Sequence, residues 1–304
     1  MKRNRNIIVL GSTGFIGKVI FDHLLKVFKK ENVIGFSSKS CDLLKISTVK
    51  KKLSGLKKND ILIIASSIAR ASENSLDSMQ RNILMVENIT KILNQKPVAQ
   101  VIYLSSVDVY GVKKKDKNDT QLRKKVIDEN SSLFIDDYYS MGKIISEFLL
   151  KNQSLASRFV LTVLRFPGVY GLSDKQKSLV GLFAKKILGE GFLEIEGKGQ
   201  ILRNYVCVED VAQIVEKCIK QKEQGIFNIV SEKSLSILAI AKILKKSLSP
   251  KAKIKFKDIT SSSRERNRDI LFNNKRLISA FKKNAVRTME SGIKEYALSY
   301  KNEC

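Results

Sequence analysis

The chain has 304 residues, 43% of them hydrophobic, and its 56 basic residues against 30 acidic ones give a net charge of +26. This length allows a large core, but no apolar run reaches the ~20 residues of a membrane-spanning helix. One histidine and four cysteines without a Cys-x-x-Cys pair disfavour a metal site or a disulfide framework. The N-terminus passes from Met-Lys-Arg directly into an apolar strand, so we expect no cleavable signal peptide and a cytoplasmic protein.

The chain opens with a strand, a glycine-rich turn and a helix. Residues 7–10 are all apolar, as in a strand buried on both faces, and a helical pattern at 19–28 follows three glycines. Gly11 permits a tight turn, Gly14 lets the backbone approach a pyrophosphate, and Gly17 lets the helix lie close to the strand. The spacing is Gly-x-x-Gly-x-x-Gly, and its place between strand and helix predicts a dinucleotide site rather than an ordinary glycine-rich turn.

Strand-like and helix-like stretches alternate through the first half of the chain. Strands are predicted at 32–36, 60–65, 99–105 and 159–165, and helices at 46–53, 76–93 and 140–151. Such alternation with continuously apolar strands predicts an α/β fold with a doubly wound parallel sheet. The polar stretch at 113–136 predicts an exposed excursion.

The pattern loosens beyond residue 171. Predicted helices at 179–188, 211–220 and 238–248 mix with predicted strands at 192–195, 226–230 and 253–256. We therefore expect a nucleotide-binding domain over residues 1–170. A smaller mixed α/β lobe over 171–304 is expected to be mainly a substrate lobe, part of which can return to the first domain.

A tyrosine and a lysine stand four residues apart at the start of the predicted helix 140–151. Tyr139 and Lys143 would share a helix face. A free phenol has a pKa near 10, and a cation about 4 Å away at an effective dielectric near 20 supplies the roughly 4 kcal/mol that lowers it by about three units. The adjacent Tyr138 has only Gly142 at the matching position. The alternative is a packed tyrosine beside a solvated lysine.

The serine pair at 105–106 ends a predicted strand, at the edge where ligands bind in such sheets. A hydroxyl there can hold a substrate oxygen while Tyr139 moves the proton. The alternative is an ordinary strand-end turn.

Taken in order, these motifs resemble the extended short-chain dehydrogenase/reductases, the NAD(P)-dependent nucleotide-sugar epimerase/dehydratase group. The match covers nearly the whole chain: the turn Gly-Ser-Thr-Gly-Phe-Ile-Gly at 11–17, Ser-Ser-x-x-Val-Tyr-Gly at 105–111, the Tyr139/Lys143 pair, Leu-Arg-Phe-Pro-Gly-Val-Tyr-Gly at 164–171 and Arg-Asn-Tyr-Val-Cys-Val-Glu-Asp-Val at 203–211. The resemblance implies a Rossmann-type sheet with a substrate lobe. It also implies hydride transfer between a nicotinamide and a sugar carbon.

The resemblance also implies a role for individual residues. The catalytic set would be Ser106, Tyr139 and Lys143, with Lys143 also holding the nicotinamide ribose. Substrate contacts would fall on Ser106, Asp108, Tyr139, Arg203 and Arg266, the two arginines gripping the diphosphate. Cofactor contacts would fall on Gly11, Thr13, Gly14, Phe15, Ile16, Gly17, Ser37, Ser38, Lys39, Asp42, Leu43, Ala65, Ser66, Ser67, Lys143 and Phe166. Asn82 resembles a structural asparagine of the family.

Two departures from the family pattern bear on the reaction. Gly168 stands where the family usually has an asparagine that touches the substrate. Dehydratases of the group carry an acidic pair after the catalytic hydroxyl. Here the first position is Val107, and the second, Asp108, has a shorter reach. We therefore rank dehydration below 4-keto reduction or epimerisation.

The residues after the second strand bear on cofactor choice. NAD-binding enzymes place an acidic residue there for the ribose 2′-hydroxyl, but residues 35–40 contain no carboxylate. Ser37, Ser38 and Lys39 could take a 2′-phosphate instead, which favours NADP(H) over NAD(H). NADPH would suit a net reductase, and a retained NAD would suit an epimerase.

Two functions of other classes stay open. One is a non-catalytic sensor of NADP(H), which the intact Ser106, Tyr139 and Lys143 disfavour. The other is nucleic-acid binding, suggested only by the net charge; the lysines lie in short scattered runs without interleaved aromatic residues, which indicates a solvated surface. A positive field would still favour an anionic substrate such as a nucleotide sugar. A homodimer is implied by the resemblance alone.

Overall fold

The computed structural model describes residues 5–111, 126–174, 178–258, 269–282 and 285–303. This part of the chain divides into two compact units. The first unit runs to Gly111 and takes in Ser132–Phe166 and Val211–Asn228, and the remaining described residues form the second unit. The chain therefore returns to the first unit after residue 210.

The described residues contain fourteen strands and nine α-helices. The strands are β1 (Ile7–Leu10), β2 (Val33–Phe36), β3 (Ile61–Ile64), β4 (Gln100–Ser106), β5 (Val126–Ile127), β6 (Val160–Phe166), β7 (Gly168–Tyr170), β8 (Phe192–Glu196), β9 (Leu202–Arg203), β10 (Tyr205–Cys207), β11 (Gly225–Asn228), β12 (Leu235–Ser236), β13 (Lys253–Lys257) and β14 (Leu271–Phe272). The helices are α1 (Phe15–Val27), α2 (Ile46–Leu53), α3 (Leu76–Gln95), α4 (Tyr138–Ser157), α5 (Leu179–Gly189), α6 (Val208–Gln221), α7 (Ile237–Leu248), α8 (Lys275–Phe281) and α9 (Met289–Glu303). None of the described helices is long and apolar enough to cross a membrane.

A six-stranded parallel sheet forms the centre of the first unit. Its order is β2–β1–β3–β4–β6–β11, and all five pairings are parallel. Every residue of β1, β3 and β4 is buried, as expected of strands in a parallel sheet whose two faces are both covered. This is the Rossmann-type α/β fold that the sequence predicts.

Two long helices of this unit begin at side-chain caps. Ser75 and Ser78 form a capping box at the start of α3, and Asp137 and Ser140 form one at the start of α4. Because the Asp137 side chain accepts from the free N–H of Ser140, α4 begins at Tyr138, two residues earlier than predicted. It continues to Ser157, and Arg158 then adopts a left-handed conformation with φ +55°.

The second unit combines short strand pairs with helices. Its pairs are β7–β10, β8–β13 and β5–β14, all parallel, and the antiparallel β9–β12. Of the predicted excursion at 113–136, residues 113–125 lie outside the described part of the chain, while β5 belongs to this unit. Apolar side chains from α5, α7, α9 and β8 share one core, among them Ile187, Leu193, Leu244 and Ile293.

A neighbouring aromatic ring leaves no room for a side chain at Gly168. It lies opposite Tyr205 in the β7–β10 register, and a Cβ at position 168 would lie 2.3 Å from Cε1 of that ring. We expect Gly168→Ala to lower the free energy of unfolding by about 1–3 kcal/mol, because either the ring or the strand must move. Urea denaturation measures the loss.

Gly55 provides the matched control, because a Cβ there would meet nothing within 4 Å. Gly55→Ala is expected to leave stability unchanged or slightly higher. If Gly168→Ala is as stable as Gly55→Ala, the ring does not constrain position 168.

Candidate active site

The ends of neighbouring parallel strands bring most predicted site residues of the first unit to one edge of the sheet. The glycine turn follows β1, Ser37 follows β2, and Ala65 follows β3, while Ser106 and Phe166 end β4 and β6. Leu10 pairs with Ile64, and Ser106 pairs with Phe166. The carboxyl edge of such a sheet is where ligands bind.

The glycine turn leaves a helix start open. Gly11 has φ +87°, and a Cβ on Gly17 would lie 2.1 Å from the Gly11 carbonyl oxygen, so the turn requires glycine at both positions. A Cβ on Gly14 would meet only that same carbonyl oxygen, at 3.4 Å. Gly14 is also the N-cap of α1 and, unlike the caps of α3 and α4, has no capping side chain. An uncapped helix start beside an exposed glycine fits a dinucleotide phosphate, and Thr13, Phe15 and Ile16 lie in this same turn.

The residues after β2 form a compact turn. The Ser37 N–H donates to the Ser40 hydroxyl at 2.9 Å, while Ser38 and Lys39 are exposed. Asp42 accepts a hydrogen bond from the Leu44 N–H at 3.1 Å. The Leu43 side chain is buried in the hydrophobic core, so of these two predicted cofactor contacts only Asp42 keeps part of its side chain exposed.

The stretch after β3 is held by Asn82. The Ile68 N–H donates to Asn82 Oδ1 at 2.8 Å, and Asn82 Nδ2 donates to the Ile68 carbonyl at 3.1 Å. Ser66 lies against the glycine turn, because a Cβ on Gly11 would lie 2.8 Å from its backbone nitrogen. Ala65, Ser66 and Ser67 are thereby fixed beside the turn.

Ser106, Tyr139 and Lys143 are brought together by β4 and α4. Lys143 is buried, and its Nζ donates to the Leu104 carbonyl at 2.8 Å and lies 5.6 Å from the centroid of the Tyr139 ring. The Ser106 hydroxyl lies close enough to the Tyr139 phenol to act on its pKa, in the lowering direction. Ser106 Oγ also donates to Asp108 Oδ2 at 3.0 Å and accepts from the Asp108 N–H at 3.1 Å.

The pKa of Tyr139 is shifted in the direction opposite to the one expected from its spacing to Lys143. Burial raises the pKa of the Tyr139 phenol, and the Asp108 carboxylate raises it further, while Arg70 and the Ser106 hydroxyl act to lower it. Burial also lowers the pKa of Lys143, to about 8. The expected net lowering of the Tyr139 pKa is thus wrong for the free protein, because burial outweighs the groups that act to lower it.

The lowered pKa of Lys143 predicts a pH-dependent stability. A lysine in the unfolded chain has a pKa near 10.4, above the folded value of about 8. The unfolded chain therefore binds more protons between these pH values, and the contribution of Lys143 to the free energy of unfolding rises with pH across them.

We expect the free energy of unfolding of wild type to rise relative to that of Lys143→Met between about pH 7.5 and about pH 10. Urea denaturation of both proteins at each pH measures this difference. Other titrating groups are common to both proteins and cancel. An equal stability gap at the two pH values would exclude a depressed Lys143 pKa.

Sequence reasoning missed three residues that surround Tyr139. Arg70 Nη1 lies 3.4 Å from Asp108 Oδ1 and 3.4 Å from Asp137 Oδ2. Asn74 Oδ1 accepts from the Tyr139 N–H at 3.0 Å. The spacing Asp137-x-x-Ser140 is a local signal for a helix start, but no local signal marks Arg70 or Asn74.

A buried polar network supports the same helix. Glu147 accepts from Arg165 Nη2 at 2.6 Å and from Nε at 3.0 Å, and it also accepts from the Ser105 hydroxyl. Arg165 Nη1 donates to the Tyr110 hydroxyl at 2.8 Å, which donates to Asn228 Oδ1 at 2.8 Å. The network joins α4 to β4, β6 and β11.

The described residues include one of the two arginines that were predicted to bind the diphosphate. Arg203 lies on β9 in the second unit, is half-buried, and donates from Nη1 to the Leu202 carbonyl at 2.9 Å. Arg266 lies outside the described residues.

Solved structures share the fold over nearly the full chain. UDP-glucose 4-epimerase of Thermotoga maritima with UDP-glucose matches with a TM-score of 0.79 at 19% identity, covering 98% of this chain and 99% of that one. RMD of Pseudomonas aeruginosa with NADPH also gives 0.79 at 19% identity, covering 99% and 100%. The dTDP-glucose 4,6-dehydratase of Bacillus anthracis with NAD gives 0.77 at 14% identity, covering 98% and 97%.

Similar sequences include a dehydratase and an epimerase. The dTDP-D-glucose 4,6-dehydratase of Dictyostelium discoideum is 22% identical over 265 residues, which cover 78% of this chain and 61% of that protein. The dTDP-L-rhamnose 4-epimerase of Burkholderia thailandensis is 28% identical over 112 residues, covering 35% and 31%. The matches thus span less than two thirds of either relative.

A family model settles the relationship. The model described as the NAD dependent epimerase/dehydratase family matches residues 7–230, well over half of the chain. The chain belongs to the NAD-dependent epimerase/dehydratase family of extended short-chain dehydrogenase/reductases, which bind NAD(P).

Proposed function

We propose that this protein transfers a hydride between NAD(P) and a carbon of a nucleotide-linked sugar, as a 4-keto reductase or an epimerase. The observation that carries the proposal is the meeting of Ser106, Tyr139 and Lys143 at the sheet edge that also holds the glycine turn. Relatives named as an epimerase and a dehydratase of nucleotide-linked sugars support the substrate class.

The chain's own residues suit proton transfer at a sugar oxygen. Because burial raises the pKa of Tyr139, the phenol keeps its proton at neutral pH. A protonated Oη can donate to the oxygen of a ketone, the form that carbonyl reduction requires. We infer that the Ser106 hydroxyl, which donates to Asp108 in the free protein, turns to donate to the same oxygen when a ketone binds.

The first unit offers matching positions for the cofactor. The turn at Gly11, Gly14 and Gly17 and the uncapped start of α1 would hold the pyrophosphate. When bound, NAD(P) supplies the hydride donor or acceptor. We propose a preference for NADP(H), because the exposed Ser38 and Lys39 follow β2 and no carboxylate stands between β2 and Asp42.

Dehydration is the second candidate because of Asp108. Its carboxyl group accepts the hydrogen bond of Ser106, and burial raises its pKa. A carboxyl group with a raised pKa next to the catalytic hydroxyl could exchange a proton with a substrate carbon or a leaving hydroxyl.

Product analysis tests the proposal. Purified protein is incubated with UDP-, dTDP-, GDP- and ADP-linked sugars and their 4-keto forms, with each of the four nicotinamide cofactors, and products are identified by NMR and mass spectrometry. A reductase consumes reduced cofactor in equal amount to product, an epimerase inverts a centre without net consumption, and a dehydratase yields a product lighter by one water.

We expect reduction or epimerisation, with NADPH bound more tightly than NADH. A protein that binds the cofactor but converts no nucleotide sugar would contradict the proposal and favour a sensor.

A further inference from the structure

Arg70 connects two parts of the first unit that carry the catalytic hydroxyls. Its Nη1 lies 3.4 Å from Asp108 Oδ1, in the 3₁₀ turn Val107–Tyr110 that follows Ser106. The same nitrogen lies 3.4 Å from Asp137 Oδ2, and Asp137 caps the helix that carries Tyr139. One guanidinium thus bridges the turn beside Ser106 and the start of α4.

The loop that carries Arg70 is anchored on both sides. Before it, Ile68 makes two backbone hydrogen bonds to the Asn82 side chain. After it, Glu73 accepts from Arg81 Nη2 at 2.7 Å, and Asn74 accepts from the Tyr139 N–H at 3.0 Å. The Arg70 side chain is 50% exposed. The loop that carries it is nevertheless held to α3 and to the backbone of Tyr139.

The charge on Asp108 decides which way the Ser106 hydroxyl points. Ser106 Oγ accepts from the Asp108 N–H and donates its proton to Asp108 Oδ2. Ser106 Oγ then keeps one further lone pair that can accept a hydrogen bond. If Asp108 were protonated, its O–H could donate to Ser106 and reverse that arrangement.

We propose that Arg70 is a positioning residue, which keeps Asp108 ionised and aimed at Ser106 and holds the turn after β4 against the capped start of α4, so that Ser106 and Tyr139 face the same substrate oxygen. This inference rests on the proposed function, because it assigns a role at the same site.

The charges around the site agree with this role. Burial raises the pKa of Asp108, and the carboxylates of Asp137 and Asp136 add to that rise, whereas Arg70 and the Ser106 hydroxyl oppose it.

Facing Tyr139 are Asp108, Asp137 and Arg70, with the Lys143 ammonium on the same helix and Tyr103 from β4. Arg70 lowers the Tyr139 pKa, and the two carboxylates raise it. Removing the Arg70 charge should raise the pKa of both Asp108 and Tyr139.

Steady-state kinetics over a range of pH test the proposal in the full-length protein. In Arg70→Met we expect kcat to fall about 10- to 100-fold at neutral pH with little change in KM. We also expect the limb of the profile that reports Asp108 to move upward by about one pH unit, so that activity recovers as pH rises. Arg70→Lys, which keeps the charge, should show little of this shift.

Two further variants complete the design. Lys91→Met removes an exposed cation that pairs with Glu87 on α3 and should change neither kcat nor the profile. Arg70→Met combined with Asp108→Asn should no longer recover at higher pH. An Arg70→Met profile of unchanged shape, whatever its amplitude, would overturn the inference, because lost packing alone does not move a pKa.

A substrate-independent readout separates this inference from the proposed function. Carbon-13 NMR of aspartate-labelled protein, assigned with Asp108→Asn, reports the Asp108 ionisation directly. We expect Asp108 to titrate about one unit higher in Arg70→Met than in wild type. If wild type converts no nucleotide sugar but this shift occurs, the function fails and the Arg70–Asp108 linkage stands; an unshifted Asp108 refutes the linkage even in an active enzyme.

Discussion

Replacing Tyr139 with phenylalanine is expected to lower turnover of the nucleotide sugar by roughly 100- to 10,000-fold, the usual contribution of a positioned acid or base. The substitution removes Oη and leaves the ring. The ring lies near the Lys143 ammonium, and α4 is capped by Asp137, so the helix should keep its place. Cofactor and substrate affinity should therefore change little, and the loss should appear in kcat.

Tyr138 supplies the matched control. It precedes Tyr139 on the same helix, is 46% exposed, and stands four residues before Gly142 rather than before a lysine. Tyr138→Phe should keep wild-type turnover. Equal activity of Tyr139→Phe and Tyr138→Phe would remove Tyr139 from the proton-transfer step.

The largest effect on stability is expected at the buried ion pair between Glu147 and Arg165. Arg165 is only 2% exposed, and although burial opposes its charge, the hydrogen bonds and charge of Glu147 raise the pKa of its guanidinium. Glu147→Gln leaves that cation buried with a neutral partner. We expect a loss of about 3–5 kcal/mol in the free energy of unfolding, measured by urea denaturation.

A double substitution tests whether the uncompensated charge causes this loss. Glu147→Met with Arg165→Met removes both charges and fills the volume with apolar atoms, so it should be less destabilising than Glu147→Gln alone. Asp22→Asn, which breaks an exposed pair with Lys18, should change stability by less than about 1 kcal/mol. A double variant less stable than Glu147→Gln would show that the network stabilises through its hydrogen bonds rather than by pairing the charge.

The elements of the first unit could be predicted closely because their signals are local. The strand Ile7–Leu10 and the helix Ile46–Leu53 are found where predicted, and β3, β4 and β6 differ from the predicted bounds by one residue at each end. Strands buried on both faces are continuously apolar, and such runs are read without knowledge of their partners. The helix after the glycine turn begins at Phe15 rather than at residue 19, because Gly14 itself starts it.

The residues of the candidate site that belong to sequence motifs could be predicted. The charged residues that only the fold brings close to them could not. The motifs named Ser106, Tyr139 and Lys143, but the direction of the Tyr139 pKa depends on burial and on Asp108, which spacing along one helix does not include. Arg70 could not be predicted, because only the path of the loop after β3 brings it to Asp108. An ionic partner for Arg165 could have been predicted, because this arginine lies in an apolar strand and arginine is almost never fully buried without a partner.

The most direct test of hydride transfer with Tyr139 as the proton-transfer group is a single-turnover measurement. Excess wild-type protein, saturated with the oxidised or reduced cofactor that the product screen shows it to use, is mixed with the nucleotide sugar found by that screen, and the absorbance band of reduced nicotinamide is followed by stopped flow. The band should decay if a keto sugar is reduced and should form if a hydroxyl is oxidised during epimerisation; this change should occur in wild type and Tyr138→Phe and be at least about 100-fold slower in Tyr139→Phe. A change at the same rate in Tyr139→Phe, or no change in wild type despite binding of both ligands, would contradict the account.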